Sequence, residues 1–417
     1  MNTRLFSWKY FQAWPDLACI IFFIFFLLTT RFPADFDQGT KRVHFDDAPA
    51  YIAMAKAVPG LPPPHSVLEQ HAQRIFVHAI VGTVTNITKF NLSTVYWSAT
   101  ILLIGCIVYL LIFLIHTFDL NFLQRILLYG LFFLNPYTIR PFFLAPSMLS
   151  DLVFVNGLLL LLIGIRSASI FWIIFGLILG QLGRQNMAPL SLAVALWAGL
   201  GWHPRLTNTS HRWSMVPLSL LSIALTHFGT LWITHGFTRG SSVPSSVLTS
   251  LASWIFSDKF QLKLLLEHII RILLPLSFFG ALITFSRFSL ATWMNNKTWV
   301  FWLLLGAILI PSFLIDPILQ QKSETRYTAL GIAIAIAIVA QTWSLKNLSN
   351  NNEPISVKHT SKIATLGVFA LLCMSSLHHL HAINPWKDKA ELFMVAHLIM
   401  ALFFGVMLRK IDPIPSA

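Results

Sequence analysis

Charge is what this sequence has least of. Asp, Glu, Lys and Arg make up 11% of its 417 residues, against roughly 25% in an ordinary soluble domain. No stretch between its apolar runs is long enough for a sizeable soluble domain, so soluble enzymes and DNA-binding modules are excluded. Cysteine is nearly absent as well. Cys19, Cys106 and Cys373 each sit inside a separate apolar run, which leaves neither a disulfide framework nor metal-ligand spacing, and the three read as packing residues. No internal repeat is visible, which counts against an inverted-repeat transporter. The one low-complexity stretch is the polar run from Asn347 to Glu353, expected in a cytoplasmic loop. Acids are the scarcer sign, 16 against 29 Lys plus Arg, for a formal charge of +13. The basic residues stand singly between apolar runs, the pattern of membrane loops near anionic headgroups and not of a nucleic-acid patch.

What is there is apolar: 56% of residues are hydrophobic and the mean hydropathy is +0.69. Runs able to span lie near 14–32, 95–117, 123–138, 151–165, 169–184, 187–202, 213–234, 266–285, 299–315, 327–343, 363–383 and 391–408. The expectation is an all-α polytopic membrane protein with about twelve transmembrane helices, a single integral membrane domain over residues 1–417. Arg4 and Lys9 precede the first run and no small-residue cleavage site follows it, so the first span is expected to be retained.

The segment Ile75 to Thr88 is apolar but only about 21 Å long as a helix, too short to span. His71, Arg74, His78, Gly82, Thr85 and Lys89 fall at three- and four-residue steps, opposite Phe76, Ile80, Val84 and Ile87. This spacing predicts an amphipathic helix lying in the interface. Parity then has a second test in the tails. Arg4 and Lys9 before the first span, and Arg409 and Lys410 after the last, place both termini in the cytoplasm and require an even number of spans. Under this topology Asp35, Asp37, Asp46, Asp47, Glu69, Asp151, Asp258, Glu267, Asp316, Glu324, Asp388 and Glu391 all lie at or near the outer face, and chemistry is expected there.

The first outer loop, residues 33–74, is long, polar and acidic in a chain that otherwise keeps its loops short. From Phe45 to Ala55 it reads as an Asp-started helix with Pro49 in its first turn and Tyr51, Met54 and Ala55 on one face. Asp46 and Asp47 either cap this helix or supply a carboxylate that accepts a proton from a substrate hydroxyl. Asp35 and Asp37 form a second acidic pair, and the two pairs could divide base and positioning roles or bind a divalent cation. Asp151, at the start of a later apolar run, is either a helix N-cap or half of an ion pair, with Arg140 the natural partner. Arg184, in the break Gly183-Arg184-Gln185-Asn186, is either a phosphate anchor or an interfacial snorkel. Arg326 is either a phosphate ligand or a partner for Glu324. His65, His71 and His78, and His378, His379 and His381, form two loose groups. Zinc would need a further ligand and the right geometry, so interfacial packing is the expectation and no metal site is assigned.

Taken in order, a first span, an acidic outer loop with Asp47-x-x-x-Tyr51-x-x-x-Ala55, a helix led by Arg74 and an outer Asp151 opening a later span resemble the GT-C superfamily of membrane glycosyltransferases. The likeness is to bacterial enzymes that take a sugar from a polyprenyl-phosphate carrier, including lipid A aminoarabinose transferase and protein mannosyltransferase relatives. It covers residues 14–200; residues 201–417 match in architecture only. The soluble C-terminal domain and tryptophan-rich signature of oligosaccharyltransferases have no counterpart here, so whole-oligosaccharide transfer to asparagine is not expected. The resemblance implies an inverting transferase at the periplasmic face of a bacterial inner membrane, moving a sugar from its lipid carrier to a hydroxyl on an unidentified glycan, lipid or protein. Asp47 would be the base, with Asp46 or Asp37 as alternates; Arg74, Arg140, Arg184 and Arg326 would meet the phosphate, with Tyr51, His71, Asp151 and Glu324 also facing substrate. The alternatives are a surface-polysaccharide polymerase or ligase, and a flippase or transporter of lipid-linked saccharides.

Overall fold

The computed structural model of the chain describes residues 13–29, 48–138, 148–185, 187–200, 209–239, 250–286, 290–295, 297–315, 324–349, 362–377 and 390–411. In chain order the helices are α1 (Ala13–Thr29), α2 (Ala48–Ala57), α3 (Glu69–Ala72), α4 (Ile75–Thr88), α5 (Leu92–His116), α6 (Phe122–Phe133), α7 (Leu149–Ser167), α8 (Ile170–Gly183), α9 (Met187–Leu200) and α10 (Thr209–Thr234). There follow α11 (Ser250–Ile255), α12 (Leu262–Leu273), α13 (Ser277–Phe285), α14 (Leu290–Trp293), α15 (Trp299–Leu314), α16 (Glu324–Ala329), α17 (Ile332–Ser349), α18 (Lys362–Leu377) and α19 (Ala390–Ile411). Every expected span falls on one of these helices or a pair of them, but among the described residues six segments, not twelve, are long and apolar enough to cross a membrane: Leu92–His116, Leu149–Ser167, Trp213–Thr234, Leu262–Phe285, Tyr327–Leu345 and Leu392–Arg409. The segment at Leu262–Phe285 is not the uninterrupted helix the sequence suggests. Pro275, which has no amide to donate, sits in a 3-10 turn, Leu274–Leu276, that joins α12 to α13.

Local sequence explains the helix ends. Asn91 accepts from the Thr94 amide and starts α5; Asn121 and Gln124 form a reciprocal capping box at the start of α6. Ala168 in the left-handed region closes α7, and the Ser169 amide returns to the Gly164 carbonyl at 2.9 Å, turning the chain into α8.

Two segments form the centre: 94% of the spanning window of Leu149–Ser167, and 94% of that of Tyr327–Leu345, is buried by protein. The α7–α8 hairpin owes its closeness to glycine. A Cβ on Gly164 would stand 2.6 Å from the Ile173 amide, one on Gly176 2.6 Å from the Leu161 amide, and one on Gly183 2.5 Å from the Ser150 carbonyl, while Gly157 lies against the Gly180 backbone. Small residues let helix backbones meet where no solvent drives them together.

The helix termini sort into two ends. At one, Asp16 at the start of α1 pairs with His116 at the end of α5 at 2.8 Å, and the Tyr129 hydroxyl of α6 donates to Asp16 at 2.9 Å. Arg125 reaches His116 Nδ1 at 3.3 Å, Arg166 at the end of α7 donates to the Thr117 carbonyl at 3.0 Å, and the Asp119 amide donates to Ser344 of α17 at 3.1 Å. At the other end, two short strands depart from the all-α expectation. Val67–Leu68 (β1) pairs in parallel with Thr238–Arg239 (β2), Val67 opposite Thr238. Phe237 joins Tyr51, Met54, Val67, Ala72 and Ile75 in a small apolar core that ties residues 48–75 to the end of α10.

Candidate functional site

The site is built from α2, α3 and α4 upon the ends of α7 and α8. Tyr51, Ile52, Met54 and Ala55 are the buried face of α2, as the spacing predicts. Gly82 of α4 comes against the Ala55 carbonyl, too close for any side chain, so α2 and α4 lie backbone to backbone. The stripe Ile80, Val84 and Ile87 is exposed, whereas His71, Arg74, His78 and Gly82 of the expected polar stripe are buried together with Ile75, Val77 and Val81, and Lys89 is exposed.

On that buried face Tyr51 is surrounded. The Arg74 guanidinium donates to its hydroxyl and lies 5.6 Å from the ring centroid. His71 meets the ring edge-on at 5.8 Å, and His78 stacks on it at 4.4 Å with planes 10° apart. His78 Nδ1 lies 2.9 Å from the Tyr96 hydroxyl of α5, and that hydroxyl donates to the Tyr51 carbonyl at 3.3 Å. A hydroxyl has one proton, so Nδ1 is the donor to Tyr96 and His78 carries its own proton there. Burial pushes the His78 imidazole down from the usual 6.5 to about 3; the Arg74 charge adds to this and the Asp151 charge opposes it. His78 is accordingly neutral at physiological pH.

The Asp151 influence marks where the second cluster lies, since α4 contacts both α7 and α8. Asp151, in the first turn of α7, is bonded at 2.5 Å to Arg184 at the end of α8, and both side chains are almost wholly buried, at 0% and 1% exposure. Arg140, the partner the sequence suggested for Asp151, lies outside the described residues; among the described residues Asp151 pairs with Arg184, because the glycine seam places Gly183 against Ser150 and so brings the next residue opposite Asp151. Arg184 is thereby an interior group and not an interfacial snorkel. Its guanidinium also lies 4.7 Å from the ring centroid of Tyr327, in α16. One turn before Arg184, Gln181 donates to Ser191 at 2.7 Å and accepts from Thr226, joining α8, α9 and α10.

The structure thus gathers Tyr51, His71, Arg74, Asp151 and Arg184 at one end of the bundle. Asp37, Asp46, Asp47 and Arg140 lie outside the described residues, as do Asp35, His378, His379 and His381 and the side chains of Glu324 and Arg326. Among the described residues no group of three or more His, Cys, Asp or Glu could hold a metal ion. Sequence reasoning missed Tyr96, hidden inside an apolar run, and placed His78 on the polar stripe without a role. The chain matches no protein-family model, no curated protein and no solved structure.

Proposed function

We propose that the chain is a membrane glycosyltransferase of the GT-C kind, which moves a sugar from a polyprenyl-phosphate carrier to an acceptor hydroxyl at the outer face of a bacterial inner membrane. The observation that carries the reading is the meeting, at one bundle end, of Tyr51 and Arg74 from the loop motif with the Asp151–Arg184 pair. Two guanidiniums fixed by buried partners are preorganised donors for an anionic leaving group, which is where charge develops when the sugar–phosphate bond breaks. The acceptor oxygen attacks the anomeric carbon, its proton passes to a carboxylate, and the carbon–oxygen bond to phosphate breaks, releasing polyprenyl phosphate with inversion. Asp47 is the base assigned, with Asp46 and Asp37 as alternates; it precedes Tyr51 by one helical turn in sequence. A divalent cation held by these acids is compatible with the same step.

The β1–β2 pairing supports the topology that goes with this reading. Between Leu68 and Thr238 lie α3, α4 and the six helices α5 to α10. Taking all six as crossing, the two strands share a face only if α4 lies in the interface and does not cross. An even number of spans, twelve with both termini cytoplasmic, is the topology proposed with it.

The test is turnover. Purified protein in detergent is given a panel of polyprenyl-phosphate sugars, comparing wild type with Asp47→Asn, Asp46→Asn and Asp37→Asn. Release of polyprenyl phosphate by wild type, lost in one folded variant that still binds the carrier, is expected. Carrier binding without cleavage in every protein would contradict the transferase and favour a flippase.

A further inference from the structure

His78 has one nitrogen that no described residue uses. Its side chain is fully buried, Nδ1 is committed to Tyr96, and Nε2, shielded from solvent, has no hydrogen-bond partner among the described residues. A half-turn of the ring would keep its stack on Tyr51, 4.4 Å away, but would put a carbon where Nδ1 meets Tyr96. A neutral imidazole with its proton fixed on one nitrogen presents a lone pair, and only a lone pair, at the other. The position of that lone pair is set by three elements at once: α2 through the Tyr51 ring, α4 through the backbone, and α5 through Tyr96. Such a group is costly to leave unpaired, and it is held beside the Arg74 and Asp151 charges in the cluster described above.

We infer that His78 is a specificity-determining residue, its Nε2 accepting a hydrogen bond from a hydroxyl on the sugar of a polyprenyl-phosphate donor while the arginines of the cluster receive the phosphate. This rests on the transferase reading. The chemistry separates the two halves of the ligand: an ionised phosphate offers acceptors and no proton, so it suits guanidinium and has nothing for Nε2, whereas a sugar hydroxyl is a donor in want of a lone pair. A site built to bond a hydroxyl discriminates strongly against a ligand that lacks it, because its own buried group is then left unsatisfied.

The test is binding of two probes, polyprenyl phosphate and polyprenyl-phosphate glucose, to wild type, His78→Asn and His78→Gln. Asn retains a donor near the Nδ1 position for Tyr96 and has nothing at Nε2; Gln can place a carbonyl oxygen near Nε2. Wild type is expected to prefer the glycosylated carrier by about tenfold, the worth of one net hydrogen bond. His78→Asn should lose that preference with its affinity for bare polyprenyl phosphate unchanged, and His78→Gln should regain part of it. Nitrogen NMR of wild-type His78 gives a second reading that needs no variant: the unprotonated Nε2 resonance should shift on adding the glycosylated carrier and not the bare one. A preference that survives in His78→Asn, an equal loss for both probes, or an Nε2 resonance unmoved by the glycosylated carrier overturns the inference while leaving the transferase reading intact. Failure of wild type to bind either probe overturns both.

Discussion

An ion pair shut inside protein is more expensive to halve than to remove. Asp151 and Arg184 are both nearly inaccessible, so Asp151→Asn or Arg184→Met removes the charge opposite a buried ion and should lower stability by about 3–5 kcal/mol. The double variant Asp151→Leu/Arg184→Met should recover most of that loss. Unfolding of the four proteins in detergent decides it, and single variants as stable as wild type would show that the pair is not buried. His78 has the opposite character, a base kept uncharged. Because its folded pKa is about 3 against the usual 6.5, the unfolded chain binds a proton over this window that the folded chain refuses. Stability from His78 is therefore complete above about pH 6.5 and declines as pH falls toward about 3, by at most about 1.4 kcal/mol per pH unit. His78→Phe should flatten that part of the profile, as measured by unfolding at about pH 7.5 and about pH 5.5; an unchanged slope would assign it to other groups. At this scale the sequence showed which groups would need buried partners, because Tyr51, Arg74, Asp151 and Arg184 are polar groups in or beside apolar runs. It did not show the Asp151–Arg184 pair, which joins residues 33 positions apart across a helical hairpin.

Helices α7 and α8 hold that pair in register through glycine, so the element can be tested without touching the site. Gly157→Val or Gly176→Leu should force the hairpin apart, lower stability by at least about 1–3 kcal/mol and weaken carrier binding through the displaced Arg184. Gly105, in α5, has open space for at least 4 Å around the position a Cβ would take, so Gly105→Ala should be neutral or stabilising by up to about 1 kcal/mol. Equal effects at all three positions would remove the seam from the account. The apolar periods placed the helices well, since each long apolar run has few alternatives to an α-helix in a membrane. The spacing of Gly176, Gly180 and Gly183 is visible in the sequence, but the helix it faces is not, and the seam became legible only with both backbones in place. The break at Pro275 has a plain local cause; the pairing of Val67 with Thr238 has none, since two-residue strands carry no periodicity.

For the molecule as a whole, the two end clusters are decisive, since each joins helix ends that an alternating up-and-down path would bring to the same face. Asp16, His116, Arg125 and Arg166 mark one face; Tyr51, Arg74, Asp151, Arg184 and the β1–β2 bridge mark the other. Charge bias in the loops could suggest this order but not fix it, because Lys and Arg are nearly as frequent in loops on both sides. The site depends on it: if α4 crossed the membrane, the loop motif and the Asp151–Arg184 pair could not share a face. The most direct test is accessibility of single cysteines at Ser66, His235 and Asn121, all exposed, in a background with Cys19, Cys106 and Cys373 replaced, using an impermeant thiol reagent on sealed vesicles of one orientation. Ser66→Cys and His235→Cys should be modified together from one side, and Asn121→Cys only after the vesicles are opened. Modification of Ser66→Cys and His235→Cys from opposite sides would contradict the shared face and the site built on it.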